Sequence, residues 1–184
     1  MKQPTQQKTK KKVNKPKKKL LSSKIHKKKY GTSKLEIDFA KEFLEKIGIP
    51  FIYQYEAKDI KRFYDFGLTC YDDVKYNYEI KDGLKSVKQE GQFFPIDLLI
   101  EIDGSFYHAD PRVVKEDKIT PMHKHNKFVD SLKDKWAALH CIPLLRIWEY
   151  DIRNNPQKVR DEIAKYIKGG KKKRKILEER KKPH

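Results

Sequence analysis

The sequence predicts an α/β fold in which helices cover a mixed β-sheet. Three observations predict it. Helix-like and strand-like patterns alternate from Thr32 onward in the order α-β-β-β-α-β-α. One run, IDLLIEI from Ile96 to Ile102, is apolar enough for a central strand. The charge is also segregated: residues 1–30 hold 13 Lys and no acid, and residues 168–184 hold nine Lys/Arg and two Glu. Of the formal +18, residues 31–167 therefore keep −2. A near-neutral body of one domain's size carries two cationic ends.

Residues 1–30, rich in Lys, Gln and Pro, have too little apolar surface to offset the entropy of ordering and read as a disordered arm. The body opens with TSKLEIDFAKEFLEKIGI from Thr32, a polar start followed by Leu35, Phe39, Phe43, Leu44 and Ile47 at helical spacing. Gly48 and Pro50 end that helix. FIYQYEA (51–57) alternates as a half-buried strand does, and RFYDFGL (62–68) is a second short strand. Residues 69–94 are charged and aperiodic, with a turn signal at KDG (81–83), and read as an insertion compatible with a hairpin. FFPIDLLIEIDGSFYH (93–108) contains the third strand, and 109–122 is a polar loop. HNKFVDSLKDKWAALHC (125–141) is an amphipathic helix, with Phe128, Val129, Leu132, Trp136 and Leu139 expected on its buried face. PLLRIWEYDI (143–152) reads as a buried strand and NPQKVRDEIAKYIK (155–168) as a closing helix. The remainder to 184 is a basic tail. KKKRK at 171–175 is either a solvated charge run or, in a eukaryotic host, a nuclear-import patch.

Several classes are excluded. No apolar run approaches the roughly 18–20 residues that span a bilayer. The lysine-rich start has no apolar core of a secretory signal. Two cysteines, Cys70 and Cys141, are too few for a disulfide framework and fit a reducing compartment. The expected location is intracellular, cytoplasmic or nucleoid-associated, or nuclear if the host is eukaryotic, with no membrane partner.

Asp97, Glu101 and Asp103 share one face of the third strand, because strand side chains alternate with period two. Charges on a buried strand need cations, since each unpaired one costs several kcal/mol in desolvation. Nearby Lys/Arg or a metal ion could supply them, and carboxylates at such spacing suit a hard cation such as Mg²⁺. Asp97 is assigned to the solvated mouth of the strand. His108, five residues after Asp103, is near enough to orient or activate a water.

These segments resemble a known family. FYDFGL, then LIEIDGSFYH, then N-x-x-x-D-x-x-K and LLRIWE are similar, in that order, to the very-short-patch-repair (Vsr) endonuclease branch of the PD-(D/E)XK nucleases, and to phage homing nucleases of the same fold. The resemblance spans about residues 32–165. It implies a restriction-endonuclease-like core and an Mg²⁺-dependent endonuclease, with Mn²⁺ as a substitute, acting on double-stranded DNA. By the same resemblance, Glu36 is a helix-borne active-site glutamate. Asp65 is a metal-binding aspartate, with Tyr64 in place of the family's proline. Glu101 is the second metal carboxylate and the Ile102 carbonyl a further ligand. Asp103 stands where the superfamily has lysine and the Vsr branch histidine, so the missing cation or base must come from elsewhere, and His108 is the candidate. Asp103 or Glu36 would bind a second ion or orient His108. Trp148 and Glu149 match the final strand.

Asn126, Asp130 and Lys133 fall on the family's helix pattern and are expected at the DNA. Either Phe106 and Tyr107 wedge into the duplex, as the family's aromatic pair does, or Phe106 packs under the loop while Tyr107 covers the strand end. Lys10, Lys11, Lys12, Lys17, Lys18 and Lys19 would add phosphate affinity without reading sequence. Cys70, His123, His125 and Cys141 are too scattered for a zinc site, and no zinc is expected. Two other functions compete. One is a catalytically inactive nuclease fold that binds nucleic acid. The other is a tail-dominated ribosomal or packaging protein whose body is a spacer.

Overall fold

The computed structural model describes residues 33–69, 75–90 and 95–167. The expected disordered arm, with its six singled-out lysines, and the basic tail lie outside them. Within them the chain is α/β, a mixed four-stranded sheet with helices on both faces.

Helix α1 (Lys34–Phe39) is capped by Ser33, whose side chain accepts from the Leu35 amide at 3.2 Å. It widens into a π-turn over Ala40–Leu44 and tightens into a 3₁₀ turn over Glu45–Ile47. Phe39, Ala40, Phe43 and Leu44 are all buried, but the change of pitch turns Ile47 outward, against expectation. Strands β1 (Phe51–Ala57) and β2 (Arg62–Leu68) form an antiparallel pair in the expected places. The pairing skips Gln54 and Asp65, and Gln54 has φ +53°. On one side of this break Tyr53 and Phe66 enter one core cluster; on the other, Tyr55 and Tyr64 enter the second. The break therefore swaps faces, and Asp65 sits at it.

The segment from 75 to 90 forms the hairpin: β3 (Tyr78–Lys81) and β4 (Leu84–Val87) joined through Asp82 (φ +51°) and Gly83 (φ +80°). Two consecutive left-handed residues make the turn that matches strand twist. The hairpin covers the outer edge of β1: Ser86 Oγ accepts from the Tyr53 amide at 2.8 Å, and the Gln89 side chain bonds both the N–H and C=O of Glu56.

Strand β5 (Leu98–Asp103) lies antiparallel to β2 and parallel to β6 (Leu144–Trp148), giving the order β1-β2-β5-β6. It is buried throughout. Leu98, Ile100 and Ile102 meet α1 and the last helix (156–167) through Val159 and Ile163, while Leu99 meets Trp136 and Ala137 on the opposite face.

Helix α2 (Pro121–Leu139) connects β5 to β6 and starts four residues earlier than expected. Thr120 and His123 form a reciprocal cap and Pro121 opens the first turn. Phe128 and Leu139, expected in the core, are 58% and 82% exposed. The expected strand 143–152 is also corrected: it ends at Trp148, and Glu149–Asn154 is a short helix, α3, stabilised by the Glu149–Arg153 pair at 2.8 Å. The closing helix, α4, follows over 156–167.

Candidate active site

The site forms where β2 and β5 part. Their pairing runs only from Phe66–Ile100 to Leu68–Leu98, so Ile102 has no β2 backbone partner. The Asp65 side chain takes that place: its Oδ2 accepts from the Ile102 amide at 2.7 Å. The expected carbonyl ligand thus meets Asp65 through its N–H. Glu101, on the face toward α2, is 4% exposed and receives both its bonds from Lys133 Nζ, at 2.9 and 2.7 Å. Tyr64 fixes the helix at this level, its hydroxyl donating to the Lys133 carbonyl at 2.7 Å. Glu36 enters from α1, its Oε2 accepting from the Tyr53 hydroxyl at 3.0 Å.

Glu36, Asp65 and Glu101 influence one another electrostatically. Burial, then Glu36, pushes the Asp65 carboxyl up to about 7, against the pull of Lys133 and the Ile102 amide. Burial, then Asp65, pushes Glu101 up to about 8 in spite of Lys133. Glu36 is raised chiefly by burial. Among the described residues, Lys133 is the one cation that bonds any of the three.

Beside them lies a second cluster. Asp103 is 3% exposed and accepts from Arg146 Nη1 at 2.9 and 3.2 Å. His108 Nδ1 lies 2.8 Å from Asp130 Oδ2 and 3.6 Å from Asp103 Oδ1. Arg146 also reaches Asp130 at 3.4 Å and Asp134 at 3.0 Å. Burial opposes ionisation of His108, but Asp130 and Asp103 outweigh it and hold the imidazole above its ordinary value. Burial would also raise Asp130, yet His108 and Arg146 hold it below the usual range. Asp103 is raised by burial against Arg146. Ligand atoms of Asp103, His108 and Asp130 all lie within 4.8 Å of one another, so this trio could hold a metal ion. Asp65 and Glu101 are not part of it.

The turn after β5 carries the aromatic pair. His108 N donates to Gly104 O, and Asp110 N to Ser105 O; Ala109 takes φ +53° to close the loop. Phe106 and Tyr107 are 56% and 61% exposed, so neither is packed away beneath the loop, although Phe106 meets the His123 ring at 5.3 Å. The loop is held from three directions. Asn126 Nδ2 donates to Tyr107 O at 2.8 Å, Glu149 accepts from the Ser105 amide at 3.2 Å, and Arg112 joins buried Asp110 to Asp151.

The structure therefore brings Glu36 from α1, Asp65 and Glu101 into one interacting group and Asp103, His108 and Asp130 into another, with Glu101 and Asp103 on the α2 side of β5. Asn126, Asp130 and Lys133, expected at the DNA, each make a side-chain bond within the protein. Asp97 precedes β5, its amide donating to Leu68 O. Sequence reasoning missed Tyr53, Arg146 and the role of Lys133. Arg146 was detectable, because an arginine in an apolar strand needs a carboxylate on the neighbouring one. Comparison with family models, curated proteins and solved structures returned no match.

Proposed function

We propose that the chain is a metal-dependent endonuclease with a restriction-endonuclease-like core, hydrolysing phosphodiester bonds in double-stranded DNA. One observation carries the reading: three partly or fully buried carboxylates, Glu36, Asp65 and Glu101, share a single bonded ammonium. Such an excess of negative charge out of water calls for protons or a divalent cation. The donors are all oxygen, which suits Mg²⁺ or Mn²⁺. The second cluster already has a bonded cation of its own, with Arg146 set against Asp103 and Asp130 and His108 between the two carboxylates. Asp65 and Glu101, with Glu36 beside them, are thus the residues that would hold the ion. A bound ion of this kind polarises a phosphate oxygen and acidifies a water.

The chain's own residues have separate tasks. Asp130 keeps the His108 proton on Nδ1 and leaves Nε2 to accept a proton from water, an orientation common to histidine bases. Arg146 fixes both aspartates around that imidazole. Tyr53 orients Glu36. Phe106 and Tyr107 stand exposed on a tethered turn, where aromatic rings can contact bases. The lysines of residues 1–30 would bind phosphates without reading sequence.

The test is incubation of supercoiled plasmid with the full chain and Mg²⁺ or Mn²⁺, with and without EDTA. Nicked or linear product that disappears with EDTA and in Asp65→Asn supports the proposal. The ion pairs already made by Glu101 and Asp103 favour one second reading, an inactive nuclease fold that binds nucleic acid. DNA binding without product in either metal would select it.

A further inference from the structure

We propose that Lys133 is a displaceable counterion: its ammonium and a divalent cation compete for Glu101, and the ion's arrival frees the ammonium as a cation available to phosphate. The inference rests on the metal-site reading above. Lys133 Nζ bonds both oxygens of Glu101, so an ion cannot take that carboxylate while both bonds persist. The Lys133 side chain is only 13% exposed, which holds the pair in partly desolvated surroundings. Neither group can lose its partner there without a replacement. A divalent ion is such a replacement for Glu101, and it leaves the local charge closer to neutral than one ammonium does.

The attachment of Lys133 makes exchange possible without moving the fold. Its backbone is pinned where Tyr64 donates to its carbonyl, while a lysine's four-carbon stem has the rotatable bonds to carry the ammonium elsewhere. The ammonium also lies 5.5 Å from the Tyr64 ring centroid, a face that can receive it when it leaves the carboxylate. Asp103 shows the contrast. Its cation is the planar guanidinium of Arg146, held at once by Asp103, Asp130 and Asp134. A group with three anchors is not readily exchanged, so β5 carries one carboxylate whose cation can leave and one whose cation stays.

The test is Mn²⁺ binding to the full chain, followed by the electron-spin signal of free Mn²⁺, for wild type, Lys133→Met, Glu101→Gln and Asp65→Asn. Lys133→Met removes the competitor and should bind Mn²⁺ about tenfold tighter or more, with a larger metal-induced rise in melting temperature than wild type. A Lys133→Met affinity equal to or below wild type, with binding still abolished by Asp65→Asn, overturns the inference and leaves the metal site standing. Binding that ignores both Asp65→Asn and Glu101→Gln, or no binding at all, overturns both. A second measurement on the wild type covers the case of a variant that fails to fold. The ¹⁵N signal of the Lys133 ammonium should be visible in metal-free protein and vanish into fast exchange with Mg²⁺. A signal that survives saturating Mg²⁺, in protein whose other resonances shift, overturns the exchange.

Discussion

His108 lies between two aspartates, with Asp130 at hydrogen-bond distance and Asp103 slightly farther away. Both favour the imidazolium, so the acid limb of cleavage should fall above the ordinary histidine value. Asp130→Asn removes the stronger partner and should move that limb to lower pH while reducing the rate, because the ring loses its orientation. A pH–rate profile of plasmid nicking checks this; an unmoved limb would mean that His108 is not the titrating base. His108→Ala should slow cleavage by roughly 10²–10⁴-fold at saturating metal, the usual worth of acid–base help. Asp97→Ala should be mild, because Asp97 stands before β5 and outside both clusters. At this scale much was legible. Period-two alternation alone put Glu101 and Asp103 on one face, and His108 is the fifth residue after Asp103. What alternation could not reveal was that Asp65 would fill a gap in the ladder, since the break opposite Gln54 is a backbone event with no marker in FIYQYEA.

Helix α2 shows where pattern reading failed and why. An amphipathic helix is expected to turn its apolar residues inward. Here the inward stripe passes over Glu101 and Asp103, and it carries Asn126, Asp130 and Lys133 before reaching Trp136 and Ala137. A polar strand face selects a polar helix face, so Phe128 and Leu139 were left outside. The start of the helix was readable: Thr120-Pro121 is a capping residue followed by proline at the first turn. The α3 boundary was not, because EYDI fits strand alternation as well as a helix. Urea melts can separate the two faces of α2. Leu139→Ser should change stability by no more than about 0.5 kcal/mol, as exposed positions do. Trp136→Ala should cost about 3–5 kcal/mol, through its buried ring and its Nε1 bond to Asp59 at 2.7 Å. Equal costs would place Leu139 in the core after all.

The whole molecule divides its charge, with anionic carboxylates concentrated at the site and lysines at the ends of the chain. The first part of that division makes stability depend on pH and metal together. Asp65 and Glu101 titrate near 7 and 8 when folded, far above unfolded carboxylates. Groups with raised folded values favour the folded state below their unfolded pKa, and that contribution is lost as pH rises through the folded one. Metal-free protein should therefore lose stability between about pH 4 and pH 8 from these two groups. On the proposed reading Mg²⁺ would bind the ionised carboxylates, so its stabilisation should be larger at pH 8 than at pH 6 in thermal melts; a pH-independent Mg²⁺ effect would place the ion elsewhere. The second part concerns DNA. A body at −2, with carboxylates at its site, does not attract a polyanion by itself, whereas residues 1–30 carry 13 lysines. Each phosphate neutralised adds about −0.9 to the slope of log affinity against log salt. Removing residues 1–30 should flatten that slope by several units and weaken binding most at moderate salt. Cleavage at low salt and high protein concentration should persist, because Asp65, Glu101 and His108 all remain. Titrating labelled duplex at several salt concentrations, in EDTA to prevent cutting, measures the slope directly. An unchanged slope after truncation would assign the phosphate contacts to the body. The exposed Lys124, Lys127 and Lys135 of α2 would then be the next residues to replace.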